Sequence, residues 1–430
     1  MFIMKGPEMD EYHQMWADLG MNLEAHDGLL AVLPPLFEQV YLSQEGRPAR
    51  MSYFDMVFSE IHGMRIKELV SHKKAGGTVV GCYCTYVPEE LILASGGIAV
   101  GLCGGADVAP EEAAKYLPAN TCALIKSALG FKLAGVCPYY ESCDLLIGDT
   151  TCDGKKKFYE ILGDFADVYV MELPQKKNER DRKLWREEVG DLKVRLEELS
   201  GNTIEAADLQ KAIKIVNDKR SALLRLAELR KSDPAVISGR DALLINQIAF
   251  NDDPRRLAVK VNELCDELEK RVEKGDSIGG AVSPRILLAG CPMAIPNWKV
   301  ANVIETSGAV VAMDEICTGL RYFNHLVDES PGTVDKLLDS IAASYLDIDC
   351  AVFTPNDERV ENILKLVDDY AIDGVVYTAL QSCDPYTIEA YQVGKALEEK
   401  GVPMLYVETD YSDDSGQIAT RVQAFLEMIR

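Results

Sequence analysis

The chain has 430 residues, 47% hydrophobic and 27% charged, the composition of ordinary globular domains and enough chain for two or three cores. Its net charge of −24 at pH 7, from 45 basic and 69 acidic residues, argues against nucleic acid or an anionic membrane as partner. The start, MFIMKGPEMDEYHQMW, lacks the apolar core of a secretory signal, and no run nears the length of a membrane span, so a cytoplasmic protein is expected.

Residues 1–75 read as an N-terminal helical segment: YFDMVFSEIHGMRIKELVSHKKAGG carries apolar residues at helical spacing and stops at Gly76 and Gly77. From 76 to 177 the texture becomes α/β, with short apolar runs expected as buried parallel strands at 77–81, 97–102, 144–148 and 166–173. Residues 178–283 form a charged helical insert, which could fold back on one of the halves it joins. A second α/β unit is expected over 284–430, with strands at 285–290, 309–314, 373–380 and 402–408. In DIDCAVFTPND, Thr354 is placed to cap a helix and Pro355 to be its first residue. The expected fold is therefore two doubly wound parallel-sheet domains, preceded by helices and joined by a helical insert.

The twelve cysteines carry the chemistry. In a cytosolic chain they are reduced, metal-bound or buried rather than paired as disulfides. None of the five histidines adjoins a cysteine, so a metal here would be held by thiolates, which points to iron–sulfur. In the first α/β half, Cys84 follows strand one, Cys103 follows strand two, Cys122 starts a helix and Cys152 follows strand three. The second half repeats that order with Cys291, Cys317, Cys350 and Cys383. Spacings of 19, 19 and 30 residues against 26, 33 and 33 make this an architectural echo rather than a tight repeat.

In doubly wound sheets, strand carboxyl ends and helix amino ends share one edge, so these cysteines should line two facing edges of a cleft. Helix amino ends lower thiol pKa and donate N–H groups to sulfur, which suits cluster binding. A single cysteine near a strand end is more often a small packed residue, and Cys82 and Cys265 are read that way. Cys137 and Cys143 are open to either reading.

Lys155, Lys156 and Lys157 at a helix start could meet phosphates of an acyl-CoA, dock an acidic partner, or form a solvated face. Glu89 and Glu90 suit the positive end of a helix, and with Tyr86 they stay outside the candidate catalytic set. Neither G-x-G-x-x-G nor a Walker lysine is present, so no nucleotide is expected on this chain. No serine hydrolase elbow is visible either.

The segments CTYVPEELILASG, LPANTCALIKSALGF, CPYY, GDTTCDGKKKFYE, VMELPQ and QSCDPY resemble the 2-hydroxyacyl-CoA dehydratase and benzoyl-CoA reductase superfamily. That resemblance implies a [4Fe–4S] cluster on Cys84, Cys122 and Cys383, and single electrons from a separate ATP-hydrolysing [4Fe–4S] activator. AGCPM, DEICTG and DIDCAVFTPND are similar to the double-cubane cluster proteins of that superfamily. This implies a homodimer with an [8Fe–9S] unit in each subunit, the second cubane resting on Cys291, Cys317 and Cys350. GCPMAIPN departs from the glycines usual in related chains after Cys291. Cys103 and Cys152 are reserve ligands.

The function expected is an oxygen-sensitive iron–sulfur oxidoreductase component, anaerobic in habit, that reduces a small-molecule substrate with the activator's electrons. The alternatives are a single-cubane 2-hydroxyacyl-CoA dehydratase subunit and a non-catalytic electron-transfer protein.

Overall fold

The computed structural model describes residues 7–102, 104–278, 283–412 and 414–429. Two parallel four-stranded sheets organise it. The first contains β1 (Val79–Cys82), β2 (Ile98–Gly101), β3 (Leu145–Asp149) and β4 (Val168–Met171), in the order β2-β1-β3-β4. The second contains β5 (Arg285–Gly290), β6 (Val310–Glu315), β7 (Gly374–Leu380) and β8 (Met404–Thr409), in the order β6-β5-β7-β8. The two orders are the same. In each sheet the chain runs from the first strand to one side and then crosses to the other, so the direction of winding reverses beside the first strand. Such reversal points open a crevice at the carboxyl edge.

The strands form where the sequence offers short Val, Ile and Leu runs bounded by glycine or aspartate, and β5, β6 and β7 are buried at every residue. Gly290 closes β5 at a φ of +118°, and a Cβ there would meet the Thr378 carbonyl oxygen at 1.9 Å, so only glycine lets β5 end this close to β7.

The N-terminal helices Pro7–Asp18, Leu23–Phe37, Met51–Ser59 and Met64–Lys74 agree with the sequence reading. The middle of the chain is helical: Glu179–Ser200, Ala206–Leu229, Gly239–Ile248 and Pro254–Lys274. These helices pack against both halves. Trp185, Leu192 and Leu209 share a core with Val80 and Ile147 of the first sheet and with Leu337, Ile341 and Tyr345 of the second half. Leu257, Leu264 and Cys265 pack with the second sheet, which bears out the reading of Cys265 as a core residue.

Buried charge fastens the same seam. Arg220 pairs with Glu90 at 2.7 Å and donates to the Tyr345 hydroxyl at 2.8 Å, while Tyr345 donates to Glu90 at 2.6 Å. Lys219 pairs with Glu89 at 2.6 Å, and the Tyr322 hydroxyl donates to Glu89 as well. The two glutamates open the helix Glu89–Ala94 as the sequence suggested, yet their main partners are cations of the middle helices and tyrosines of the second half. Among the described residues, no helix is long and apolar enough to cross a membrane.

Candidate functional site

Both carboxyl edges face one region, and the cysteines reach it from helix starts and strand ends. Cys84 lies two residues beyond β1. Cys122 is the N-cap of Ala123–Ala134, and Cys152 is the N-cap of Asp153–Leu162, where its sulfur accepts from the Lys155 N–H at 3.5 Å. In the second half, Cys291 follows Gly290 directly and donates its N–H to the Thr378 carbonyl at 3.0 Å. Cys317 lies two residues beyond β6, Cys350 lies in the loop after Val334–Leu346, and Cys383 is the N-cap of Asp384–Lys400. Cys103 falls outside the described residues.

The loops of the two halves touch. The Ala123 N–H donates to the Gln381 carbonyl at 3.4 Å, and the Gly105 N–H to the Ile295 carbonyl at 3.0 Å. Cys122 thereby meets Cys383 across the cleft, and the two thiols interact. The Cys383 thiol, with the Leu124 and Ile125 N–H groups, brings Cys122 down to about 7, while Cys383 is raised. Burial pushes Cys291 up to about 12 and Cys350 up to about 11, and it raises Cys84 as well. Cys317 is the hub: Cys84, Cys291 and Cys350 are all near enough to be influenced by it. Cys291 also feels Cys122. These neighbour relations cross the two triads that the sequence reading paired, so the six cysteines form one field.

Tyr386 and Arg321 complete that field, and the sequence reading assigned neither. The buried Tyr386 hydroxyl lies 3.4 Å from the Cys317 sulfur and 3.8 Å from the Cys350 sulfur. Arg321, fully buried, donates to that hydroxyl at 2.6 Å, to the Asp349 carbonyl at 3.2 Å and to the Gly290 carbonyl. A second cation, Lys155, approaches Asp149 at 3.9 Å, and its charge is felt by Cys84 and Cys122. The lysine run thus divides: Lys156 pairs with Asp153 and Lys157 with Glu160 on the exposed face, each at 2.7 Å, while Lys155 turns inward.

The expected helix after Cys350 starts later than Thr354. It spans Asp357–Asp369, because Asn356 turns inward to donate to the Cys350 carbonyl at 2.9 Å and to Glu389, while the Thr354 N–H goes to the Gln175 carbonyl at 3.0 Å. The helix is anchored from within by Arg359, which binds Glu315 at 2.8 Å and also Glu389.

Two cavities meet the cysteines. An inner chamber of about 160 Å³ is lined by Cys84, Cys317, Lys155, Tyr83, Tyr140 and Leu124, among others. An open cleft of about 1310 Å³ runs past Cys122, Cys152 and Cys383. Cys82, at the end of β1, borders the chamber, and its thiol is raised by burial. Cys143 lies close to Cys82 and Cys137, and its thiol donates to the Tyr139 carbonyl at 3.1 Å, a packed arrangement against the first sheet.

Among the described residues, no three His, Cys, Asp or Glu side chains converge on a single point as around one metal ion. A multi-iron cluster asks something different, since each thiolate binds its own iron and the ligands surround a volume. The donor set fits that demand: it is all sulfur, drawn from facing edges, and served by N–H groups and two cations that offset thiolate charge.

The family model described as "2-hydroxyglutaryl-CoA dehydratase, D-component" matches residues 84–429. The chain is 37% identical over 376 residues to the "Putative dehydratase subunit YjiM" of Escherichia coli (strain K12), covering 86% of this chain and 97% of that protein. It is 25% identical to the "(R)-phenyllactyl-CoA dehydratase beta subunit" of Clostridium sporogenes, with 84% and 95% covered. It is 22% identical to one of the subunits of benzoyl-CoA reductase from Thauera aromatica, with 79% and 87% covered.

Proposed function

The chain belongs to the 2-hydroxyglutaryl-CoA dehydratase D-component family, and from that premise we propose that it is the iron–sulfur reductase component of a two-part system. Cys84, Cys122, Cys291, Cys317, Cys350 and Cys383 would hold a double-cubane [8Fe–9S] cluster. Bound there, a cluster of this kind supplies single electrons at low potential. A separate ATP-hydrolysing activator would deliver them, and each partner of a cytoplasmic homodimer would carry its own site.

The observation that carries this reading is the convergence of thiols from both α/β halves, tied together by Cys122 with Cys383 and by Tyr386 between Cys317 and Cys350. Cys84, Cys122 and Cys383 alone would suffice for one cubane, and three further thiols in the same field call for more iron. The chain's own groups have clear tasks. Arg321 holds Tyr386 toward two sulfurs, N–H groups at helix starts donate to others, and Tyr83, Phe131, Tyr139 and Tyr140 line the chamber. A chamber of about 160 Å³ has room for roughly five waters, which suits a compact substrate.

A second reading is favoured by the relatives' names: a subunit of a 2-hydroxyacyl-CoA dehydratase with a single [4Fe–4S] cluster. A third, a non-catalytic electron-transfer protein, has only the cysteines in its favour. The test is turnover. Anaerobic protein, supplied with its activator, ATP and a reductant, is expected to reduce a compact molecule steadily without any second dehydratase subunit. Turnover that appears only when a different subunit and a hydroxyacyl-CoA are added would establish the second reading. Electron uptake and release with nothing reduced would establish the third.

A further inference from the structure

The chamber beside Cys84 and Cys317 is also bordered by His62. The same side chain borders a separate cavity of about 170 Å³ on the N-terminal helices, with Trp16, Glu38, Asp55 and Ser59. Ile61 borders both cavities as well, so the wall between them is one residue thick at this place. His62 Nδ1 lies 3.0 Å from His26 Nε2, with the two rings stacked at 5.1 Å. The bond to His26 leaves Nε2 of His62 for the cavities. His26 is fully buried in the helix Leu23–Phe37, and its Nδ1 has no hydrogen-bond partner. A buried polar atom without a partner is costly, and such atoms call for an explanation. The edge of Trp16, which also borders the outer cavity, packs on His26 at 4.3 Å.

We infer that His62 carries protons through this wall into the chamber, with His26 as the residue that positions it. The inference rests on the reductase reading, since reducing a bound substrate takes protons as well as electrons. A strongly reduced substrate is a strong base and accepts a proton from an imidazole that has just taken one up. His62 Nε2 takes a proton from water of the outer cavity and passes it to the substrate in the chamber, while Nδ1 keeps its 3.0 Å bond to His26 Nε2. One proton enters, one leaves, and the ring ends neutral as it began. Burial keeps both histidines neutral at neutral pH, His26 near 4 and His62 near 3, so the wall stores no charge. Both histidines lie in the N-terminal helical segment, outside the residues that the family model matches.

The test uses anaerobic holoprotein with its electron donor, comparing wild type with His62→Phe, His62→Gln and His26→Phe at equal iron and sulfide content. Glutamine keeps a hydrogen bond to His26 but cannot pass a proton on. Expected results are a turnover loss of about 100-fold in both His62 variants, a larger solvent deuterium isotope effect, and partial rescue of His62→Phe by added imidazole. A second readout needs no substrate: a pH-indicating dye follows proton uptake when dithionite reduces the protein. Uptake is expected to slow in the same variants by a similar factor. In 15N spectra of wild type, His62 Nδ1 is expected to carry the signature of a hydrogen-bonded nitrogen, lost in His26→Phe. Unchanged proton uptake and isotope effect in both His62 variants overturns the inference. A wild type that reduces nothing overturns the reductase reading instead, and the dye measurement still decides on His62.

Discussion

The Tyr386 hydroxyl lies 3.4 Å from the Cys317 sulfur. It sits there because Arg321, donating to it at 2.6 Å, is itself fixed by the carbonyls of Asp349 and Gly290. If Cys317 holds iron as proposed, a phenol pointing at its sulfur stabilises the more negative, reduced state. Tyr386→Phe is therefore expected to make the reduction potential of the anaerobic protein more negative at unchanged iron content, read by a redox titration followed by electron paramagnetic resonance. Arg321 would lose one partner, at a cost of about 1–3 kcal/mol. An unchanged potential with the hydroxyl gone would leave Tyr386 a packing residue.

The seam between the halves gives a second expectation. Glu90, Arg220 and Tyr345 are all buried and mutually bonded. Removing one partner of a buried ion pair leaves the other uncompensated and costs about 3–5 kcal/mol. Glu90→Leu should lower the midpoint of urea unfolding strongly, and Glu90→Leu with Arg220→Met should recover part of the loss. If the double variant is no better than the single one, packing rather than charge holds this seam.

How much of this was legible beforehand follows from sequence separation. The strands could be read because Val and Ile runs between glycines are local signals, and the cysteines at their ends came with them. Cys265 could be read as packing because it sits on an amphipathic helix. Tyr386 and Arg321 could not be paired, since they stand 65 positions apart and only the fold brings them together. QSCDPY contained Tyr386, but nothing local distinguished its hydroxyl from that of any other tyrosine after a helix cap. Glu89 and Glu90 were read through their own helix dipole, whereas their cations lie 130 residues away. The start of the helix Asp357–Asp369 was misjudged because Asn356 has a stronger claim inward, to Cys350 and Glu389, than Thr354 has as a cap.

His26 and His62 give the molecule an acid-sensitive N-terminal helical layer. Burial depresses both, to about 4 and about 3, with Asp27 raising and His13 lowering His26, and His26 lowering His62. A histidine with a depressed folded pKa contributes stability that is complete above its unfolded value of 6.5 and is lost as pH falls toward the folded value. Between pH 7 and pH 5 the loss is roughly 2 kcal/mol per histidine. Urea midpoints of wild type should fall over that interval, and those of the His26→Gln, His62→Gln double variant should fall less. Parallel curves for the two proteins would show that the acid sensitivity arises elsewhere.

The number of irons separates the two cluster readings. A double cubane requires about eight irons and nine acid-labile sulfides per chain, and a single cubane about four of each. The anaerobic protein should be brown and should contain the larger number. Cys317 influences Cys84, Cys291 and Cys350, so Cys317→Ala should affect the whole site, whereas Cys350→Ala removes one thiol of it. Both variants should lose iron, Cys317→Ala more, and both should unfold in urea near the wild-type midpoint because neither thiol fills a large core space. Cys152→Ala makes the comparison sharper. Its sulfur caps a helix and borders the open cleft with Cys122 and Cys383, so as a reserve it should retain full iron. A value near four irons, unmoved by Cys317→Ala and Cys350→Ala, would place the protein with the single-cubane dehydratase subunits and leave Cys291, Cys317 and Cys350 as packed thiols of the second half.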